Sequence, residues 1–343
     1  MALASLVAVL AVLAVLAVLA VLAVLAVLAV LAVLAVLAVC CRHPCPCSYS
    51  SPGGVMIIVT GATGQLGRKT VERLLDRIPA DRIGVSVRTP DKAQDLRERG
   101  IRVRRGDFAE PATLAHTFEG AEQVLIVSAD STGEATVAGH RAAISAAVAA
   151  GARRVLYTSH MGASPTSPFA PMPDHAATEQ ALRESGAAHT TLRNGFYATS
   201  AVMMLGDAVR TGRLIAPQDG PVSWTAHADL AEAAALVLAD EGCFDGPTPA
   251  LTGADSLDLA DIAALASDLA GRTVERVVVP DEEYHAGLVA HGVPTAQADL
   301  LLGLFEASRQ GEFAAVDPAL ASLTGRQPTP LRDVLKAAIA AAR

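Results

Sequence analysis

A glycine-rich turn between a short apolar run and a helical segment is the feature that most restricts the fold of this chain. The β-branched run Met56 to Thr60 leads directly into Gly61-Ala-Thr-Gly64-Gln-Leu-Gly67. The first glycine permits a tight turn, the second lets the backbone approach a pyrophosphate, and the third lets helix pack closely on strand. The following helix then presents its N-terminus to the anion. The loop residues expected to contact a dinucleotide cofactor are Gly61, Thr63, Gly64, Gln65, Leu66 and Gly67.

The chain beyond this loop alternates short β-branched runs with longer Ala/Leu-rich segments, which is typical of a parallel sheet covered by helices. The predicted strands are 56–60, 83–88, 102–105, 123–127, 154–158 and 189–193. The predicted helices between them are 66–77, 92–99, 112–118, 134–150 and 174–185. Six strands joined by five crossovers predict the α/β fold class, with a doubly wound Rossmann sheet.

The pattern changes after residue 193. It predicts a long helix over 198–211, helices over 229–240 and 258–270, a strand over 274–279 and a mostly helical tail over 281–343. We interpret residues 56–195 as an NAD(P)-binding domain and residues 196–343 as a small, mainly helical C-terminal lobe with late sheet strands. Ligands of such sheets lie outside the carboxyl ends of the strands, so this lobe is expected to contact the substrate.

The first 41 residues are apolar except for Ser5, and they repeat Ala, Val and Leu with a period of three. Two interpretations stay open: a membrane anchor, or a translated tandem repeat that lies upstream of the true start. Met56 opens the first strand and favours the second, so we expect a polypeptide that begins at Met56 to fold and bind cofactor. Residues 42–55 are interpreted as a linker. The expected location is cytoplasmic, or membrane-anchored if the repeat belongs to the native protein.

Charge and cysteine content exclude several classes of function. The chain has a net charge of −8, only 27 Lys and Arg, one Trp and four Tyr, which is unlike a general nucleic-acid binder. Four of the five cysteines lie within residues 40–47, without the second ligand cluster that a zinc site needs, and no metal site is expected. Cys243 is the only cysteine after the linker, which suits a reducing compartment.

The end of the second strand indicates which dinucleotide is bound. NAD sites usually place an acidic side chain there, whereas this chain has Arg88, followed closely by Lys92. A guanidinium and an ammonium bind a 2′-phosphate but offer no acceptor to the free ribose. The expected cofactor is therefore NADPH. Asp107, after the third strand, either accepts a hydrogen bond from the adenine amino group or caps the following turn.

Five segments together resemble the NmrA-like atypical short-chain dehydrogenases, above all the bacterial NADPH-dependent quinone oxidoreductases and triphenylmethane reductases of that family. The segments are Gly61 to Gly67, Val87 to Ala93, Tyr157 to Ser159, His175 with Thr178 and Glu179, and Thr191 to Tyr197. The resemblance runs from Met56 to about Leu335 and implies a Rossmann domain with a small C-terminal lobe, NADPH as cofactor and a cytosolic protein. The N-terminal repeat has no counterpart in the family.

The usual proton donor of short-chain dehydrogenases is absent. The typical Tyr and Lys stand four residues apart on the helix after the fifth strand, where this chain offers His175 and Glu179. A quinone is a strong hydride acceptor and is reducible without that acid, because the protein then mainly aligns the nicotinamide with the acceptor. Glu179 is equally well read as a solvated helix charge, and His227 with Asp229 as a helix start.

Side chains at the carboxyl ends of the later strands are expected to shape the pocket. Ser128, Thr158 and Ser159 are assigned to the cofactor, and His160 lines the pocket beside them. Asn194, Tyr197 and His175 are the catalytic candidates. Asn194 either orients the carboxamide, polarises a carbonyl or belongs to an ordinary Asn-Gly turn. Phe196 and Tyr197 either stack on a planar acceptor or fill the core.

The sequence thus predicts an NADPH-dependent oxidoreductase that transfers hydride to a quinone or a similar conjugated electrophile. Its expected partner is a small-molecule electron acceptor, with no nucleic acid, and with a membrane only if the N-terminal repeat is real. The alternative is a regulator that binds NADP(H) without turnover and acts through a protein partner. Steady oxidation of NADPH in the presence of a quinone distinguishes the two.

Overall fold

A computed structural model of the chain describes residues 56–342. The apolar repeat over residues 1–41, the linker and the four clustered cysteines lie outside the described residues. All described residues belong to one compact unit, and the predicted boundary near residue 195 stays a prediction. Within this part of the chain, no helix combines the length and the apolar character needed to cross a bilayer.

The order of the helices and strands follows the alternation predicted from the sequence. The strands are β1 Ile57–Thr60, β2 Ile83–Val87, β3 Arg102–Arg105, β4 Gln123–Ile126, β5 Arg154–His160, β6 Ala188–Asn194, β7 Phe196–Tyr197, β8 Arg213–Ala216, β9 Trp224–Thr225, β10 Gly246–Pro247 and β11 Glu275–Val278. The α-helices are α1 Gln65–Leu75, α2 Gln94–Glu98, α3 Ala112–Phe118, α4 Glu134–Ala149, α5 Pro171–Glu184, α6 Ala198–Leu205, α7 Ala208–Thr211, α8 His227–Ala239, α9 Leu259–Ala270, α10 Asp281–Ala290, α11 Thr295–Arg309, α12 Ala319–Thr324 and α13 Leu331–Ala341. Two short 3-10 helices, Ala80–Arg82 and Pro90–Ala93, flank β2.

Seven strands form one sheet in the order β10-β6-β5-β4-β1-β2-β3, and all of its pairings are parallel. Ile57 of β1 is paired with Ile83 on one side and with Gln123 on the other. The chain reverses its direction of winding at β1, so the carboxyl ends of β1 and β4 open the crevice that binds ligands in such sheets. The Rossmann fold class predicted from the sequence is confirmed.

Both faces of the sheet are covered by apolar helix surfaces, which explains why the central strands read as continuous apolar runs. Buried side chains of α1, α2 and α8 pack on one face, where Val59, Leu125 and Leu192 contribute from the strands. Buried side chains of α3, α4 and α5 pack on the other face with Ile58, Val124 and Tyr157. The sheet therefore holds the ends of its strands rigidly at one edge.

A separate apolar cluster joins the later helices. It includes Phe196, Trp224, Phe305 and Phe313 together with residues of α6, α9 and α13. The small parallel pairs β7·β9 and β8·β11 lie in this later part of the chain. The C-terminal region is mainly helical, as predicted.

Several details differ from the sequence prediction, which placed no strand at β7, β8 or β9. The helix expected over 198–211 is divided into α6 and α7 at Gly206, whose φ of 44° does not continue a right-handed helix. The prediction also missed β10, because two residues that include Pro247 carry no strand pattern. Finally, β5 extends to His160, two residues beyond its predicted end.

Candidate active site

The loop between β1 and α1 has the geometry of a pyrophosphate cradle. Gly61 has a φ of 62°, and its carbonyl oxygen accepts a hydrogen bond of 2.9 Å from the amide of Gly64. A Cβ on Gly67 would lie 2.5 Å from that same oxygen, so only glycine fits at the first turn of α1. The N-cap residue Gly64 supplies no side-chain cap, which leaves the N-terminus of α1 available to an anion.

Arg88 and Lys92 follow β2, and their side chains are exposed. Neither side chain forms a hydrogen bond or ion pair with another described residue. Two other arginines near the adjoining helix and strand are already neutralised, since Arg68 pairs with Asp95 and Arg105 pairs with Glu110. The two cations named by the sequence thus remain available for a phosphate.

Asp107 lies in the turn after β3, and its Oδ1 accepts a hydrogen bond of 3.0 Å from the amide of Ala109. The capping role left open by the sequence is therefore present. The second carboxylate oxygen leaves room for a contact with adenine, and that contact stays a prediction.

Ser128 and Thr158 meet where β4 and β5 end. The amide of Ser128 donates to Oγ1 of Thr158 at 2.8 Å, and this hydroxyl donates to Oγ of Ser128 at 3.3 Å. The threonine is 1% exposed, so it fixes the chain after β4. Ser128 is only partly buried and is the better placed of the two to reach a cofactor.

The surroundings of Glu179 and Ser159 contradict the interpretation of Glu179 as a solvated helix charge. Glu179 is 3% exposed and is no solvated helix charge, because Arg193 donates from Nε at 3.0 Å and from Nη2 at 2.8 Å to its two oxygens. Burial alone raises the pKa of Glu179, but the hydrogen bonds and charge of Arg193 hold it below its ordinary value. Ser159 donates to the same carboxylate at 2.7 Å, so its hydroxyl faces this ion pair, and its assigned cofactor contact stays a prediction.

Asn194 ends β6 with an unsatisfied polar atom. The residue is 2% exposed, and its Oδ1 has no hydrogen-bond partner among the described residues. Buried polar atoms are nearly always paired, so an orphan at the carboxyl edge of a Rossmann sheet fits a ligand that carries a donor. Burial raises the pKa of the Tyr197 phenol, and the neighbouring amide of Asn194 opposes this larger effect.

The two aromatic residues after β6, Phe196 and Tyr197, have different surroundings. Tyr197 is half-buried and packs on His227 with ring centroids 4.2 Å apart. Phe196 lies in the aromatic core against Trp224 and Phe313, so its expected stacking on an acceptor is replaced by packing inside the C-terminal region.

His175 lies on the first turns of α5 beside two other aromatic side chains. Its Nδ1 is 2.8 Å from the hydroxyl of Tyr157, and its ring is stacked on His160 with centroids 6.0 Å apart. Burial lowers the pKa of His175 to about 4 and lowers that of His160 well below its ordinary value. Burial also raises the pKa of Tyr157, so all three groups are uncharged at neutral pH.

His227 and Asp229 form a helix start, as the sequence indicated. α8 begins at His227, and the fully buried Asp229 accepts hydrogen bonds from Arg326 and from the amide and hydroxyl of Thr329. This carboxylate therefore anchors the segment before α13 and is not available for chemistry.

Sequence reasoning missed Tyr157, His140 and Arg193. Tyr157 lies inside an apolar strand, where the sequence suggests a core side chain. Arg193 lies at a partly exposed strand position, which gave no indication of a buried partner. His140 carried a signal, because a histidine among the small apolar residues of α4 has to find a buried partner. Among the described residues, no group of three or more His, Cys, Asp or Glu side chains is arranged to hold a metal ion.

Comparison with known proteins adds a family match. A family model described as NAD(P)H-binding matches residues 61–241, which span the glycine loop, the sheet strands β2 to β6 and the chain through α8. The match thus covers the side chains described above at the carboxyl edge, including Asn194 and Tyr197.

Two curated relatives are similar over nearly their whole length. Quinone oxidoreductase 2 of Escherichia coli (strain K12) is 34% identical over 279 residues, which cover 81% of this chain and 96% of the relative. An NAD(P)H azoreductase of Xenophilus azovorans is 30% identical over 289 residues, which cover 83% of this chain and 99% of the relative.

Two solved reductase structures are also similar to this chain over most of its length. The NADPH complex of the NADPH-dependent quinone oxidoreductase from Escherichia coli superposes with a TM-score of 0.78 at 33% identity, covering 83% of this chain and all of that one. The triphenylmethane reductase of a Citrobacter species, complexed with NADP(H), gives a TM-score of 0.76 at 31% identity, covering 82% and 99%.

Proposed function

The chain belongs to the NmrA-like family of NAD(P)H-binding oxidoreductases, and from this premise we propose that it transfers hydride from NADPH to a quinone or a similar conjugated electrophile. Relatives that carry the names quinone oxidoreductase, azoreductase and triphenylmethane reductase support an extended, electron-poor acceptor. The acceptor is a small molecule, and no nucleic acid takes part.

The observation that carries the proposal is that, among residues 56–342, the candidate pocket contains no charged or readily ionised proton donor. Tyr157, His160 and His175 are each held neutral by burial, and Glu179 is engaged by Arg193. A substrate that needs protonation during hydride transfer, such as an isolated ketone, gains little from such a site. A quinone does not have this need, because its negative charge spreads over a conjugated ring as the hydride arrives.

The residues around the glycine loop fit NADPH. The uncapped start of α1 and the cradle closed by Gly67 suit the pyrophosphate, and the unpaired Arg88 and Lys92 suit a 2′-phosphate. The orphan Oδ1 of Asn194 is a fitting acceptor for the carboxamide N–H of a nicotinamide. When bound, this cofactor supplies the hydride from C4 of its nicotinamide ring.

The chain's own contribution is alignment. Asn194 and Tyr197 would hold the nicotinamide, and the side of the pocket formed by His160 and His175 stays uncharged. The quinone would gain one hydride, with its two electrons, from the cofactor and one proton from water, which gives the hydroquinone.

The test is the oxidation of NADPH by the purified full chain, followed by absorbance with 1,4-benzoquinone as acceptor. Cyclohexanone serves as the control, because it is a ketone of similar size without conjugation. We expect steady turnover with the quinone and none with the ketone. Tight NADP(H) binding without turnover on quinone, azo and triphenylmethane acceptors would contradict the proposal and support the regulator instead.

A further inference from the structure

Tyr157 is a buried tyrosine that the proposed reaction has not used. It lies in β5 with none of its surface exposed, and its hydroxyl is 2.8 Å from Nδ1 of His175. Because burial raises its pKa, the hydroxyl keeps its proton at neutral pH. The direction of this hydrogen bond decides which nitrogen of His175 carries the ring proton.

Next to Tyr157 lie His140 and Thr178, and a main-chain amide determines the donor and acceptor roles in their hydrogen bonds. The N–H of Ala129 donates to Nε2 of His140 at 3.1 Å, so that nitrogen carries the lone pair. Burial lowers the pKa of His140 to about 4, and the single proton of the neutral ring is therefore on Nδ1. Nδ1 donates to Oγ1 of Thr178 at 3.0 Å, and this hydroxyl donates to the carbonyl of Asp174 at 2.8 Å. Thr178 has no proton left for the phenol.

Among the described residues, Nδ1 of His175 is the atom that meets the hydroxyl of Tyr157 with hydrogen-bond geometry, so His175 is the acceptor for the phenol proton. With Nδ1 occupied in this way, a neutral His175 must carry its proton on Nε2. Nε2 has no hydrogen-bond partner within residues 56–342, and it is not one of the polar atoms sealed from solvent. Its ring stacks on His160, whose strand position is paired with Asn194 at the carboxyl edge of the sheet.

We propose that Tyr157 is a positioning residue that holds His175 in the Nε2–H tautomer, and that this N–H donates a hydrogen bond to the acceptor oxygen that becomes negative during hydride transfer. The inference rests on the proposed function for the identity of the acceptor. A neutral imidazole stabilises an oxyanion without giving up its proton. The reduced quinone then takes its proton from water, as the reaction written above requires.

The test begins with nitrogen NMR of the full chain carrying 15N-labelled histidine, without cofactor. His175→Gln identifies the His175 resonances by their loss. We expect a protonated Nε2 and an unprotonated Nδ1 in the unmodified protein, and a mixture of both tautomers in Tyr157→Phe. In the same variant, kcat for the quinone should fall about 10-fold, the value of one hydrogen bond, at unchanged affinity for NADPH. His175→Gln, whose amide still donates, should retain more activity than His175→Leu.

Tyr284→Phe is the matched control, because it removes a hydroxyl from a half-buried tyrosine that packs on Phe305 away from these residues. It should change neither the tautomer nor kcat. A proton on Nδ1 of His175 in the unmodified protein would overturn the inference, and so would a tautomer that is unaffected in Tyr157→Phe. An Nε2–H tautomer without quinone turnover would overturn the proposed function and still support the link between the two side chains.

Discussion

The Cβ position of Gly67 lies 2.5 Å from the carbonyl oxygen of Gly61, so the start of α1 crosses the end of β1 with no space for a side chain. The contacted atoms belong to the backbone, which cannot rotate away as a flexible side chain does. The loop proposed to hold the cofactor pyrophosphate therefore depends on this close approach of helix and strand.

Gly67→Ala should separate α1 from the loop and abolish measurable NADPH binding, with a lowered melting temperature. Gly287→Ala is the control, because a Cβ there meets nothing within 4 Å and helix α10 gains roughly 0.5 to 1 kcal/mol from the exchange. Calorimetric titration with NADPH and thermal unfolding measure both effects. Normal NADPH affinity in Gly67→Ala would show that the loop tolerates displacement.

Arg88→Ala should weaken NADPH binding by about 10- to 100-fold and leave NADH binding nearly unchanged, because only NADPH carries the 2′-phosphate. Arg210→Ala removes an exposed arginine that pairs with Asp207, and it should affect neither cofactor. Dissociation constants from fluorescence titration decide the matter. An equal loss of affinity for both cofactors would mean that Arg88 does not contact the 2′-phosphate.

Asn194→Ala should reduce quinone turnover more than His175→Ala. The first variant removes the orphan Oδ1 that we propose aligns the nicotinamide, whereas the second removes a neutral hydrogen-bond donor. The loss in His175→Ala should stay below the roughly 100-fold minimum that is typical of a lost general acid. NADPH oxidation with a quinone is measured after folding and cofactor affinity have been checked. A collapse of rate in His175→Ala with near-normal Asn194→Ala would make His175 the proton donor.

Arg193→Ala should destabilise the fold by about 2 kcal/mol, because it leaves the buried carboxylate of Glu179 without its main partner. This lies below the 3 to 5 kcal/mol of a fully buried pair, since Arg193 is partly exposed to screening solvent. Arg183→Ala tests the specificity, because that arginine is 3.9 Å from the same carboxylate and is mostly exposed. Urea unfolding should show little loss of stability in Arg183→Ala. Equal losses in the two variants would contradict the assignment of Arg193 as the main partner of Glu179.

Stability should fall as the pH is lowered from about 6.5 toward 4. Burial lowers the folded-state pKa of His140, His175 and His227 to about 4, whereas unfolded histidine titrates near 6.5. The unfolded chain therefore binds more protons in this interval, and each residue costs up to roughly 1.4 kcal/mol per pH unit. Urea midpoints between pH 7 and pH 4.5 measure the slope. His140→Gln should flatten it, whereas His116→Gln on the surface should not.

The Rossmann sheet could be predicted from the sequence because its determinants are local. The glycine spacing after β1 and the apolar runs of Ile57–Thr60 and Gln123–Ile126 each act within a few residues. The same is true of Arg88 and Lys92, whose position follows from the end of a single strand. The break at Gly206 and the two-residue strand β10 could not be predicted from the sequence. A short break in a helix and a short strand pairing depend on contacts with residues that are distant along the chain.

The sequence by itself determined the fold class, the glycine-rich loop and the position of the cations beside it, because these depend on backbone conformation and on position relative to one strand. Only the tertiary structure decided the state of the polar groups. Glu179 is an anion held by Arg193, and His175 is a neutral ring held by Tyr157, although each pair is separated by 14 or 18 residues of chain. Burial and hydrogen bonding set these states, and both arise only when β5, β6 and α5 have packed together.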